Sequence, residues 1–432
     1  MIRMPRFIRA GFALAMLMAA PVGAEVTALV GGTVHPVSGP DIPNGTVLVD
    51  GGRITAVGAA LQPPAGARIV SCSGKHVYPG MVAANTVLGL VEVNSVRGTV
   101  DATEVGDQNP NVRAEVQINP ESDLLPVTRV NGITSAVVMP RGGAVAGSAA
   151  LIKLDGWTYE DMTRAAPLGL FVQWPEKSPG VTDEQRRRRE TVLAAIRTAF
   201  EDGRAYVQAR RAEGKPGVPR HDRDIKWDAM EKALGGSIPM LFQARGVAAI
   251  REVLRFADEQ GLKRVVLVNA NEAWRLADEI KARDIAVITD SMLELPGAGN
   301  ESYDDAFTVP ERLHAAGIRY CISDGGSAFG TYNARNLPYN AAMASAFGLP
   351  RDEALKSVTL YPAQILGVAD RVGSIEPGKL ADLVVTNGDL LEITTQVERV
   401  FIDGREVSLE TRQSRLFGKY DARPRGAKAR PR

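Results

Sequence analysis

The stretch "IPMLFQARGVAAIREVLRFADEQGLKRVVLVNANEAWRLADEIKARDIAVITD", residues 238–290, decides the fold. Three short apolar runs, "IPMLFQA", "KRVVLVNA" and "IAVITD", are separated by "GVAAIREVLRFADEQG" and "EAWRLADEIKARD", in which apolar residues recur every three or four positions. Short apolar runs suit strands buried on both faces, and the amphipathic segments suit helices that cover them. Strand and helix repeating in this order indicate a parallel sheet with right-handed crossovers, either a (β/α) barrel or an open doubly wound sheet. "ITSAVVMP" precedes the pattern, and "VPERLHAAG" with "IRYCISDGG" continues it. The region spans about 290 residues, which suits a barrel of ~250 residues with insertions. No G-x-G-x-x-G follows the first strand, which weakens a dinucleotide-binding reading.

The flanks have a different texture. "TALVGGTVHPVSG", "GTVLVDGGRITAVG" and "ARIVSCSGKHVYPG" near the start, and "VGSIEPGKLADLVVTNGDL" and "QVERVFIDGREVSL" near the end, alternate or run apolar between Gly, Pro and Asn turns. They predict one small β-sandwich built from both ends of the chain, residues 25–78 plus 372–415, beside a barrel over 79–371. Residues 176–228, rich in charge, are expected to be an insertion, and the basic segment 416–432 a disordered tail.

With 51 Lys and Arg against 50 Asp and Glu, the net charge of +1 gives no electrostatic case for a nucleic-acid partner. The first 24 residues carry Arg3, Arg6 and Arg9, then an apolar run from Gly11 to Ala20, then small residues to Ala24. That is the pattern of a cleavable secretory signal, cut after Ala24, so the expected location is periplasmic or secreted. No later run is long and apolar enough for a transmembrane segment. Cys72 and Cys321 are read as separate buried thiols, with a disulfide as the alternative that an oxidising compartment permits.

At this point the residues resemble the amidohydrolase superfamily, in particular its imidazolonepropionase-like branch. The resemblance rests on "GGRITAVG", "YPGMV", "NGITSAVVMP", "ISDGG", "VFIDGREV" and, above all, "EALKSVTLYPAQILG" (353–367) followed by "GSIEPGKLADLVV" (373–385). It implies a metal-dependent hydrolase of non-peptide C–N bonds on a (β/α)8 TIM-like barrel beside a composite β-sandwich. Where such proteins carry a His-x-His pair on the first barrel strand, this chain has Asn85 and Val87; at the ends of the fifth and sixth strands, where they carry histidines, it has Gln243 and Asn269. The aspartate of the last strand is retained as Asp324.

Valine offers a metal nothing, and amides are weak zinc donors. His35, His76, His221 and His314 show no metal-pair spacing, and Lys153 as a carboxylated bridging lysine would have nothing to bridge. The expected site is therefore an amide-lined pocket with no metal cofactor: Asn85, Gln243, Asn269 and Asn336 as ligand-binding residues, Asp324 as the catalytic residue if the protein is active, and Glu92, Trp274 and Arg335 nearby. The functional expectation is a non-catalytic homologue binding a small polar ligand, or an active amidohydrolase relative as its partner. The alternatives are an active hydrolase of cyclic amides working through Asp324, either metal-free or with a metal held by ligands not recognised in the sequence, and a structural envelope protein.

Overall fold

The computed structural model describes residues 26–177, 180–220, 222–296 and 302–423. The expected signal segment, residues 1–24, together with His221 and residues 424–432, lies outside the described residues.

Two sheets of eight strands each account for the β structure. The first is built from β1 (Thr27–Val34), β2 (Ile42–Asp50), β3 (Arg53–Gly58), β4 (Arg68–Ser71) and β5 (His76–Pro79) at one end of the chain. From the other end come β14 (Leu383–Thr386), β15 (Val397–Ile402) and β16 (Arg405–Val407). The order is β16-β15-β14-β5-β1-β2-β3, with β4 also paired to β1, over a core that includes Leu29, Val47, Cys72, Leu383 and Phe401. The two chain ends meet where β14 pairs antiparallel with β5.

Gly80 alone separates β5 from β6 (Met81–Thr86), the first strand of the second sheet. A Cβ at Gly80 would sit 2.0 Å from Thr134 Oγ1, so the passage from one sheet to the other requires glycine. After β6 come β7 (Ile133–Val138), β8 (Val145–Lys153), β9 (Thr163–Gln173), β10 (Met240–Gln243), β11 (Val265–Val268), β12 (Ala286–Ile288) and β13 (Tyr320–Cys321), neighbours in that order. They form a nearly closed barrel; among the described residues β13 and β6 share no ladder.

The expected TIM-like barrel beside a composite sheet is present, with one local departure from a uniform β/α repeat: β8 runs antiparallel to both β7 and β9. The turn from Met139 to Ala144 makes β7 and β8 a hairpin, too short a link for the crossover helix a parallel neighbour needs. The charged segment 176–228 carries regular structure. Most of it is a helix, Asp183–Ala212, started by a Thr182/Gln185 capping box and burying Ile196, Ala199, Phe200, Gly203 and Val207. Phe200 enters a ring cluster with Trp174, Phe242 and Phe256, its centroid 4.9 Å from that of Phe256. The helix is part of the barrel's outer layer, and the "RRRR" run lies in its first turns, where Arg189 pairs with Glu252 on the helix Val247–Glu259.

The expected tail is also helical as far as Asp421, in the helix Arg412–Asp421. Cys72 and Cys321 are both free and buried, Cys72 in the core under the first sheet and Cys321 in β13 of the second. Among the described residues no helix is long and apolar enough to cross a membrane.

The barrel's closed end is fastened to the first sheet by ion pairs. Arg164 donates to both Asp382 oxygens, to Asp403 Oδ1 (2.8 Å) and to Ser135 Oγ (2.7 Å). Because β8 is reversed, Lys153 emerges at this end, 3.0 Å from Asp161 and 3.2 Å from Asp403. That disposes of it as a metal-bridging residue: it lies on the face opposite the strand ends where such chemistry sits.

Candidate functional site at the barrel mouth

The parallel strands of the barrel deliver their last residues to one end. Asn85 is the penultimate residue of β6, Gln243 closes β10, Asn269 follows β11, Asp290 lies just beyond Thr289 after β12, and Asp324 comes after Ile322 and Ser323 beyond β13. Asn269 has φ +56°, a left-handed conformation that asparagine tolerates better than most residues, and this turns its amide inward.

Three of the four expected ligand-binding residues gather at the mouth: Asn85 and Asn269 bond each other, and Gln243 joins them only through Arg141. Asn85 Nδ2 donates to Asn269 Oδ1 (2.8 Å) and to the Gly325 carbonyl (3.1 Å), which also accepts from Asn269 Nδ2 (3.1 Å). Asn336 stays out of this cluster, entering only through its backbone carbonyl, which accepts from Asn340 Nδ2 at 3.1 Å. Val87 is packed in the hydrophobic core. Glu92 is occupied by Ser122 and Asn119, and Arg335 accepts from Asn131 through its carbonyl.

At the centre of the group is a residue that sequence reasoning missed, Arg141, in the turn after β7. Its Nη2 donates to Asn85 Oδ1, and its Nη1 makes a long contact of 3.5 Å to Gln243 Oε1. The guanidinium lies over the Phe171 ring, 4.8 Å from the centroid. Gln173 fixes the turn, donating to the carbonyls of Arg141 (2.6 Å) and Gly143 (2.8 Å). Burial lowers the guanidinium to about 10, opposed by the nearby Asp290. Its Nε has no hydrogen-bond partner among the described residues.

Two carboxyl groups border this cation. Burial, reinforced by Glu294, raises Asp290 to about 6; its Oδ1 accepts from Ser291 N–H (2.9 Å) and its Oδ2 lies 3.4 Å from Arg245. Burial raises Asp324 to about 7, a long bond from Asn340 Nδ2 (3.5 Å) opposing and Asp290 and Glu294 adding. The glycines after Asp324 allow these groups to crowd together. A Cβ on Gly325 would lie 2.2 Å from Asp290 Oδ1, and one on Gly326 2.4 Å from Arg141 Nη2.

Beside the cluster, over the ends of β9 to β12, opens a cavity of about 290 Å³ lined by Arg245, Asn271, Glu272, Trp274, Arg275 and Arg312, among others. Arg275 and Arg312 both stack on Trp274, 4.4 and 4.6 Å from its centroid. The three described histidines lie elsewhere. His35 bonds Asp41 (2.8 Å) and His76 (2.9 Å) in the first sheet, and His314 faces Glu353 at 3.5 Å. Among the described residues, no group of three or more His, Cys, Asp or Glu side chains is placed to hold a metal ion.

The family model described as "Amidohydrolase family" matches residues 263–407. The amidohydrolase tasK of Hapsidospora irregularis is 25% identical over 402 residues, 83% of this chain but 39% of that protein. An imidazolonepropionase of Porphyromonas gingivalis is 30% identical over 166 residues, 34% of this chain and again 39% of that protein. The chain thus spans about two-fifths of the length of these curated relatives. Among solved structures, an amidohydrolase from Thermotoga maritima MSB8 superimposes with a TM-score of 0.79 at 27% identity, covering 88% of this chain and 99% of that one. Barrel, composite sheet and these likenesses agree in supporting the amidohydrolase superfamily.

Proposed function

We propose that this chain is a non-catalytic member of its family that binds a small polar ligand at the barrel mouth. The observation that carries this reading is the Arg141 guanidinium, bonded to Asn85 and directed at Gln243, two positions where the family resemblance places metal ligands. Unit charges ~4 Å apart interact by about 4 kcal/mol at an effective dielectric of ~20, so a divalent ion beside this cation meets a repulsion of about 8 kcal/mol. Neutral amides and a valine do not offset that, since they supply neither imidazole nor thiolate. The residues present therefore do not fit a zinc-like ion. A carboxylate acting on ordinary water contributes only ~100- to 10,000-fold as a general base, because the water keeps a pKa near ~16.

The ligand's place in this reading is the cavity beside Arg245 and Trp274, where guanidinium donors, the Asn271 amide and an indole face converge. The leader-like first 24 residues support export, and an active family member remains a candidate partner.

The test is metal analysis of the purified protein together with a thermal-shift screen of small amides and carboxylates. The expected result is substoichiometric metal, with a stabilising ligand whose effect Trp274→Ala or Arg245→Gln removes. Stoichiometric zinc, nickel or manganese, with turnover of an imide, hydantoin or dipeptide that Asp324→Asn abolishes, refutes the reading. A second reading, hydrolysis through Asp324, is favoured by the burial of this carboxyl at the mouth, which pushes it up to about 7, where a general base works best.

A further inference from the structure

The face of the barrel opposite the mouth carries an unabsorbed feature. The helix Arg412–Asp421 has no buried residue, yet it exposes Phe417 (73%), Tyr420 (62%) and Leu416 (40%). At 3.6 residues per turn these three share an arc of about 100°, and Arg412, Arg415 and Lys419 fill the neighbouring arc of about 60°. The ion pairs of Arg412 with Asp123 and of Arg415 with Glu410 are loose, both at 3.4 Å. The sequence beyond the helix adds Arg423, Arg425, Lys428, Arg430 and Arg432, with no acidic residue after Asp421.

A second, independent observation lies alongside. Trp157, in the turn after β8, is 88% exposed. The residues just before it, Asp155 and Gly156, line the same cleft of about 300 Å³ as Thr411, Arg412 and Arg415, so Trp157 lies in the chain directly next to a wall of the cleft that the helix's basic side borders. A lone tryptophan exposed to this degree is unusual on a soluble face; aromatic rings beside cations suit the boundary between acyl chains and headgroups.

We propose that this face docks on an anionic lipid surface, with Trp157, Leu416, Phe417 and Tyr420 entering the headgroup boundary and the cations pairing with lipid phosphates. An amphipathic helix with a basic flank lies in the plane of a bilayer without crossing it. The geometry leaves the barrel mouth facing away from the membrane. This docking does not depend on what the mouth does.

The experiment is co-sedimentation of the chain from Glu25 onward, so that the apolar leader contributes nothing, with equimolar phosphatidylglycerol and phosphatidylcholine vesicles. The chain is expected to sediment with them at ~50 mM salt, and to lose about 10-fold in affinity at ~300 mM salt or on pure phosphatidylcholine. Arg415→Gln and Lys419→Gln each cost about 5-fold. Phe417→Ser combined with Trp157→Ser costs about 10-fold with the melting temperature unchanged, because both side chains are solvent-exposed. Failure to bind the anionic vesicles overturns the proposal, as does binding that all these substitutions leave intact. A dimer in light scattering that Phe417→Ser dissociates, with vesicles ignored, also overturns it and assigns the face to a second copy of the chain.

Discussion

Replacing Asp324 by asparagine is expected to make the protein more stable at pH 8 and to leave it unchanged near pH 4. Burial raises the carboxyl from its ordinary 3.8 to about 7 in the folded chain. Below pH 4 both folded and unfolded states hold the proton, and the group is neutral in its effect. Between pH 4 and 7 the unfolded chain releases the proton while the folded chain must keep it, so stability falls as pH rises. Above 7 both are ionised and the loss is constant. About three pH units at ~1.36 kcal/mol each give about 4 kcal/mol, which partial solvent access reduces to about 2–4 kcal/mol. Asparagine preserves the size and can still accept from Asn340 Nδ2. Urea unfolding of parent and variant at pH 4 and pH 8 measures the difference directly. A variant no more stable than its parent at pH 8, or a difference that does not change with pH, refutes the reasoning. A carboxylate retained against such a cost is the pattern of a site where stability yields to function.

Arg141→Met removes the donor from Asn85 Oδ1 and Gln243 Oε1 and should destabilise by about 2–4 kcal/mol in the same assay; parent-like stability would show that the guanidinium is not integral to the cluster. Gly326→Ala places a methyl 2.5 Å from Asn85 Oδ1 at φ +64° and should cost about 1–3 kcal/mol, measured as a lower denaturation midpoint. Arg164→Met strands the buried Asp382 and should cost about 3–5 kcal/mol; a loss under ~1 kcal/mol would show that the two sheets are held by other contacts.

The strand ends were legible because each follows a short apolar run, so that Asn85, Gln243, Asn269 and Asp324 could be placed before any contact was known. Asp290 ends "IAVITD" in the same way and was open to the same logic. Arg141 was not, because it follows Pro140 in a turn, and nothing in local pattern says that a turn arginine folds inward over a phenylalanine. The helix Asp183–Ala212 was obscured by its polarity, although Ile196, Ala199, Phe200, Gly203 and Val207 do recur at helical spacing. The reversed β8 is a matter of pairing between segments, which periodicity does not encode. What the amides do was also hidden, since spacing shows that Asn85 and Asn269 face one centre but not that they bond each other.

The bonds at that centre also act as a latch. With no ladder joining β13 to β6 among the described residues, the barrel's seam at the mouth is bridged by Asn85, near the end of β6, reaching the Gly325 carbonyl beyond β13. Barrel closure at the mouth thus rests on a few side-chain and backbone atoms rather than on a strand ladder. Any larger side chain at Asn85, histidine included, would cut this latch and open the seam.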